Sequence, residues 1–168
     1  MKLRDTDILN LAVALKITPD HLVAMTAHAE KTYPDECCGL LLGTVEGDER
    51  VLVELRALNN AWDEAVATEY GAKTSLNKTR RYWIDPKDML VAMQDARTRG
   101  LDVIGVYHSH PNAPATPSEC DRQNAWPYYS YIILSVDRGT VRDYLSWHLD
   151  EHHQFQSEAV TLTDSAIR

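Results

Sequence analysis

Three cysteines in 168 residues are too few, and odd in number, to staple a fold. Cys37 and Cys38 are neighbours, a poor geometry for bridging one another, so all three are expected as reduced thiols in a cytoplasmic protein. No apolar run is long enough for a membrane-spanning helix. Asp5 and Asp7 precede any apolar stretch, and the apolar segment of a secretory leader is not found. Positive charge is also scarce: 17 Lys and Arg against 25 Asp and Glu leave a net charge of −8. That argues against a nucleic-acid partner, which demands clustered cations. Repeats and low-complexity segments are lacking too. What remains is 44% hydrophobic and 25% charged, as in an ordinary globular chain, and long enough for one domain with a real core.

One stretch organises the rest: His108-Ser109-His110-Pro111, a loop with Pro114 and Pro117, then Ser118-Glu119-Cys120-Asp121. The preceding Leu101–Tyr107 is short, apolar and rich in β-branched residues, which reads as a buried strand. With a repeat of two, Ile104, Val106, His108 and His110 share one face. Pro111, with no N–H, stops the ladder. Two imidazoles at a strand end can then point at one ion, and Asp121, in the first turn of a helix opened by Ser118, can add a carboxylate. Two His and one carboxylate, with a fourth position left for water, form a catalytic zinc ligand set. Ser118-x-x-Asp121 is equally a capping-box pattern, and the two readings are compatible because a capping serine can still turn its hydroxyl toward a site. Cys120 is a weaker candidate ligand, since adjacent helix positions point apart.

Together, H-x-H-P-x6-S-x2-D resembles the JAMM signature of the MPN (Mov34/PAD-1, JAB) metalloprotease family. Glu36, in Tyr33-Pro34-Asp35-Glu36-Cys37-Cys38-Gly39-Leu40-Leu41-Leu42-Gly43, is similar to that family's glutamate-bearing segment. The resemblance runs from about Leu15 to Val136, with no departure at the motif positions. It implies an α+β fold, a mixed, curved β-sheet flanked by helices. It also implies one Zn2+ per chain on His108, His110 and Asp121, with Glu36 passing protons and Ser118 supporting the oxyanion. Ser109, between the ligands, faces away from them and is expected to have a supporting role. The implied activity is hydrolysis of the peptide or isopeptide bond after the C-terminal Gly-Gly of a ubiquitin-like or sulfur-carrier protein. With only 47 residues after Asp121, the chain resembles the short, stand-alone prokaryotic type. The competing reading is a non-catalytic scaffold of the same family that binds a ubiquitin-like partner. A nucleoside deaminase would call for P-C-x-x-C with H-x-E, and neither occurs.

The remaining chain gives the frame. Residues 1–16 read as an N-terminal extension, with a short amphipathic helix over Ile8–Leu15, and 17–168 as a single domain. Thr18-Pro19-Asp20 starts a helix to about Lys31, with Leu22, Val23, Met25, Thr26 and Ala29 apolar, and Pro34 ends it. His28 on this helix carries no expected function. Cys37–Gly43 is a central strand, hairpin-paired through Gly47-Asp48 to Val51–Leu58. Asn59–Arg81 is the least readable segment, either functional or a solvated loop. A short strand is expected at Tyr82–Ile84. Asp85-Pro86 starts a helix to about Arg99 with a buried stripe of Met89, Leu90, Met93 and Ala96. Strands follow at Tyr128–Val136, Val141–Leu149 and His153–Leu162. His148, His152 and His153 read as a polar hairpin turn rather than a second metal site. An extended substrate tail is expected along a sheet edge near Cys37–Gly43.

Overall fold

Thr18 opens the first helix as its sequence predicts: the side chain accepts from the His21 N–H, and Pro19 begins the helix. The computed structural model describes residues 14–69 and 77–164. In chain order the elements are β1 (Ala14–Ile17), α1 (Pro19–Thr32), β2 (Cys38–Glu46), β3 (Glu49–Leu58), α2 (Glu64–Glu69), α3 (Pro86–Thr98), β4 (Asp102–Pro111), α4 (Glu119–Gln123), β5 (Ser130–Asp137), β6 (Thr140–Leu149) and β7 (Phe155–Leu162). Ala14 and Leu15, expected in a helix, are strand. The rest of that expected helix lies outside the described residues.

The seven strands close into a barrel in the order β1-β3-β2-β4-β5-β6-β7, with β7 parallel to β1. The sheet is mixed as expected: β4 and β5 are parallel, while β2 runs antiparallel to both β3 and β4. Closure gives every strand a neighbour on each side, so the sheet offers no free edge near β2 for the expected substrate tail. β4 is central and buried from Val103 to His110, because its neighbours β2 and β5 are themselves apolar.

Two apolar clusters hold the helices. Met25 and Ala29 of α1 pack with Leu15, Leu41, Ile104, Tyr107 and Ile132. Ala92 and Ala96 of α3 pack with Leu40, Leu42, Val103 and Val106. Of the expected stripe on α3, Met89 and Ala96 face the sheet, while Leu90 and Met93 are 55% and 47% exposed and Ala92 takes the buried place beside Ala96. Val23 of α1, 67% exposed, likewise lies off the buried face. Ile104 and Val106 also part company, since they fall in different clusters. The cause is a register irregularity where Leu41 faces Gly105 but Leu42 faces Val103, so the alternation slips at Ile104. From Val106 onward it is regular, and Val106, His108 and His110 share a face.

Tyr82–Ile84 is not a strand. Its backbone is tied instead to Asn60 and Ala61: the Trp83 N–H donates to Asn60 Oδ1, and the Ala61 N–H donates to the Trp83 carbonyl. His28 is packed as expected, its Nδ1 2.8 Å from the Tyr107 hydroxyl. A buried polar group joins four strands: Arg50 contacts Glu158 at 3.1 Å, and Ser130 and Ser146 donate to the other carboxylate oxygen. Burial pushes the Glu158 carboxyl up to about 7, against the pull of Ser130 and Arg50.

Candidate metal centre

His108 and His110 stand at the C-terminal end of β4, where strand alternation turns both rings to one side. Their Nε2 atoms are 3.0 Å apart. Asp121 closes the triangle, with Oδ1 3.3 Å from His108 Nε2 and Oδ2 3.2 Å from His110 Nε2. Among the described residues this is the one group of three or more His, Cys, Asp or Glu that could hold a metal ion. His148, His152 and His153 lie instead at the hairpin turn expected there, between β6 and β7. His153 Nε2 lies 2.9 Å from the Arg122 carbonyl, and Asp150 caps the turn.

The donor set fits a cation. His110 Nδ1 lies 2.8 Å from the Pro114 carbonyl, which can only accept, so Nδ1 carries the proton and Nε2 presents a lone pair. His108 Nε2, His110 Nε2 and the Asp121 carboxylate thus converge on one point, a donor set that suits a divalent cation. Burial keeps His108 below its ordinary value and thus neutral. Burial would raise Asp121, but the two imidazoles and the Ser118 N–H outweigh it and hold the carboxylate well below its usual range. Burial would lower His110, but Asp121 and the Pro114 carbonyl outweigh it and raise it.

Ser118 is the N-cap of α4. Its Oγ accepts from the Asp121 N–H, while its own N–H donates 2.8 Å to Asp121 Oδ2. The capping box and the ligand reading therefore coexist: the cap fixes the carboxylate that faces the histidines. Cys120 lies beside the site, but burial raises its thiol, and it does not join the cluster. Burial also pushes Cys37 up to about 11 and Cys38 to about 12, which keeps both as thiols rather than thiolate ligands.

Glu36 precedes β2 and is buried. Cys38 is opposite His108 in the antiparallel pair, which brings Glu36, two residues earlier, toward His110. Burial raises its carboxyl to about 8, with His110, Arg81 and Arg80 opposing and Asp121 reinforcing. Its backbone is fixed at both ends, the N–H on the Lys78 carbonyl and the C=O on Asn60 Nδ2.

Sequence reasoning missed Asn60 and Tyr82. Asn60 uses its whole side-chain amide: Nδ2 donates to Glu36 and Arg81 carbonyls, and Oδ1 accepts from Trp62 and Trp83 N–H groups. Tyr82 lies flat on His108, with ring centroids 4.4 Å apart. The sole signal was their setting, a long connection with turn residues and aromatics. A cavity of about 730 Å³ opens beside the site, its wall including Glu36, Tyr82, Trp83, Met89, Asp121 and Trp126.

A mixed barrel carrying a His-His-Asp cluster that could hold a metal, beside a buried glutamate, defines a class, and comparison with known proteins says which. Residues 18–150 match the model of the prokaryotic homologs of the JAB domain, and the chain belongs to that family. It is 33% identical over 105 residues to a desampylase of Haloferax volcanii, the match covering 62% of this chain and 65% of that protein. Over 123 residues, 73% of each chain, it is 33% identical to a CysO-cysteine peptidase of Mycobacterium tuberculosis. A Desulfitobacterium hafniense protein solved in solution superposes with a TM-score of 0.74 at 29% identity, covering 91% of this chain and 95% of that one.

Proposed function

We propose that this chain is a zinc metallopeptidase that cuts the peptide or isopeptide bond after the C-terminal glycine pair of a ubiquitin-like or sulfur-carrier protein. The observation that carries this reading is the convergence of His108, His110 and Asp121 beside a buried carboxyl, Glu36, at a cavity. Relatives named desampylase and CysO-cysteine peptidase support it. The intact ligand set and Glu36 favour an enzyme over a scaffold.

His108, His110 and Asp121 hold the zinc, which would supply a Lewis acid and lower the pKa of water. Glu36 accepts a proton from the attacking water and returns it to the departing amine. Its raised pKa suits a group that must both take and give a proton near neutral pH. Ser118, whose Oγ accepts from the Asp121 N–H, keeps its own hydroxyl proton to donate to the oxyanion. The cavity, not a sheet edge, receives the chain to be cut. Glycine at the last two positions lets that backbone approach the ligands with no Cβ in the way. A cytoplasmic setting with reduced thiols suits such a partner, and neither nucleic acid nor membrane is part of the reading. Among the described residues no helix is long and apolar enough to cross a membrane.

The test is mass spectrometry of a ubiquitin-like protein carrying a short extension after Gly-Gly, incubated with zinc-loaded enzyme. Cleavage directly after the glycine pair, and weak cleavage when the last glycine is Val, is expected. Cleavage elsewhere, or equal rates with Gly and Val, overturns the tail reading.

A further inference from the structure

We propose that Tyr82 is a positioning residue for His108, holding its imidazole in the orientation that presents Nε2 to the metal by lying flat against the ring. Tyr82 matters in this way because His108 is read above as a metal ligand. The three ligands are not held alike. His110 is fixed through its Nδ1 by the Pro114 carbonyl. Asp121 is fixed by the Ser118 N–H. His108 Nδ1 is buried and, among the described residues, has no hydrogen-bond partner. A metal-bound histidine normally donates its second N–H to a carbonyl or carboxylate, and that bond sets both tautomer and ring angle. Among the described residues no such bond sets the angle at His108.

Ring contacts do so instead. Tyr82 stacks on His108 with centroids 4.4 Å apart and planes 27° from parallel. The His110 ring meets the same imidazole edge-on at 4.9 Å and 62°. Rotation about the bond to an imidazole is broad when nothing confines it. A face on one side and an edge on another confine it to one setting. Such ring pairs contribute modestly beyond the area they bury, and their geometry is directional.

Tyr82 can serve as a fixed surface only if its own backbone is fixed, and it is. The Arg81 carbonyl accepts from Asn60 Nδ2 at 2.9 Å, and the Trp83 N–H donates to Asn60 Oδ1 at 3.2 Å. The Ala61 N–H donates to the Trp83 carbonyl at 2.9 Å. The peptides on both sides of Tyr82 are thus clamped to Asn60, and the next one to Ala61. Asn60 Nδ2 also holds the Glu36 carbonyl. One amide therefore ties the proton-shuttling residue and the ring surface under a ligand to a common anchor.

The experiment is zinc affinity by chelator competition on the full chain, for wild type, Tyr82→Phe, Tyr82→Leu and Tyr82→Met, alongside imidazole 15N spectra of the metal-free proteins. Phe keeps the flat face, so its affinity should stay within about threefold of wild type. Leu and Met fill space without a flat face, and should weaken zinc binding by about 10- to 100-fold, the range seen when a ligand's orienting partner is lost. The His108 resonances should broaden or shift in Leu and Met but not in Phe. If Leu does not fold, Met decides. Wild-type affinity in the Leu or Met variant, or an equal loss in Phe, overturns the proposal. Affinity is read without turnover, so failure of the peptidase reading does not affect the contrast between variants.

Discussion

The Ser109 hydroxyl accepts a 2.8 Å hydrogen bond from the Cys37 N–H, and the Ser109 N–H donates to the Cys37 carbonyl. The residue between His108 and His110 is thereby tied to the residue after Glu36. Strand alternation points Ser109 away from the ligands, and that orientation is what lets it serve as the latch. Ser109→Ala should leave the Cys37 N–H without its partner and cost about 1–3 kcal/mol of stability. Because it frees Glu36 rather than a ligand, turnover should fall about 10- to 100-fold while zinc affinity changes little. Parallel losses of zinc and turnover would place Ser109 in the metal site instead.

Glu36→Gln keeps size and burial but cannot shuttle protons. Zinc content and melting temperature should hold, and turnover should drop by about two to four powers of ten. Rates near wild type would show that another group moves the proton.

The same carboxyl makes the metal-free protein pH-sensitive. Burial raises Glu36 from the ordinary glutamate value of 4.5 to about 8. Between those values the folded state binds the proton more tightly than the unfolded state, so stability falls as pH rises through this window. Glu36→Gln removes the effect. Wild type should therefore lose stability relative to Glu36→Gln between about pH 5 and pH 8, by at most about 5 kcal/mol, and no more above it. Thermal melts of both metal-free proteins across this range check the sign. A gap that stays constant with pH would contradict it.

Arg50 and Glu158 link β3 to β7 inside the closed barrel, with Ser130 and Ser146 on the same carboxylate. Arg50→Met strands a buried acid and should cost about 3–5 kcal/mol. Adding Glu158→Leu should recover much of that loss, since a pair of apolar side chains leaves no unpaired charge. Denaturant melts of the single and double variants measure it, and a further loss in the double variant would show the pair to be net stabilising.

Much of the frame was legible because it is written in local chemistry. Thr18-Pro19 and Asp85-Pro86 announce helix starts, and the run through His108 and His110 announces a buried strand. The candidate metal cluster was legible because alternation on β4 and one helical turn from Ser118 are both short-range rules. Barrel closure was not, because it rests on the pairing of Ala14 with Ala159, far apart in sequence. The buried side of α3 was half legible: Met89 and Ala96 face the sheet as expected, but small Ala92 takes the close approach and leaves the larger Leu90 and Met93 outside. The slip at Ile104 has no local signal either. Asn60 and Tyr82 were hidden because their roles come from hydrogen bonds between segments about twenty residues apart, in a stretch with no periodicity.

The central claim is that His108, His110 and Asp121 form one metal centre that drives hydrolysis. Its most direct measurement is zinc stoichiometry of the purified protein, followed by cleavage of a Gly-Gly-extended ubiquitin-like protein before chelation, after chelation and after zinc is restored. The wild type should bind one zinc, lose cleavage with it and regain cleavage on its return, while the His108→Ala, His110→Ala double variant folds but binds none. Full zinc occupancy in that double variant, or cleavage that survives chelation, would contradict the account.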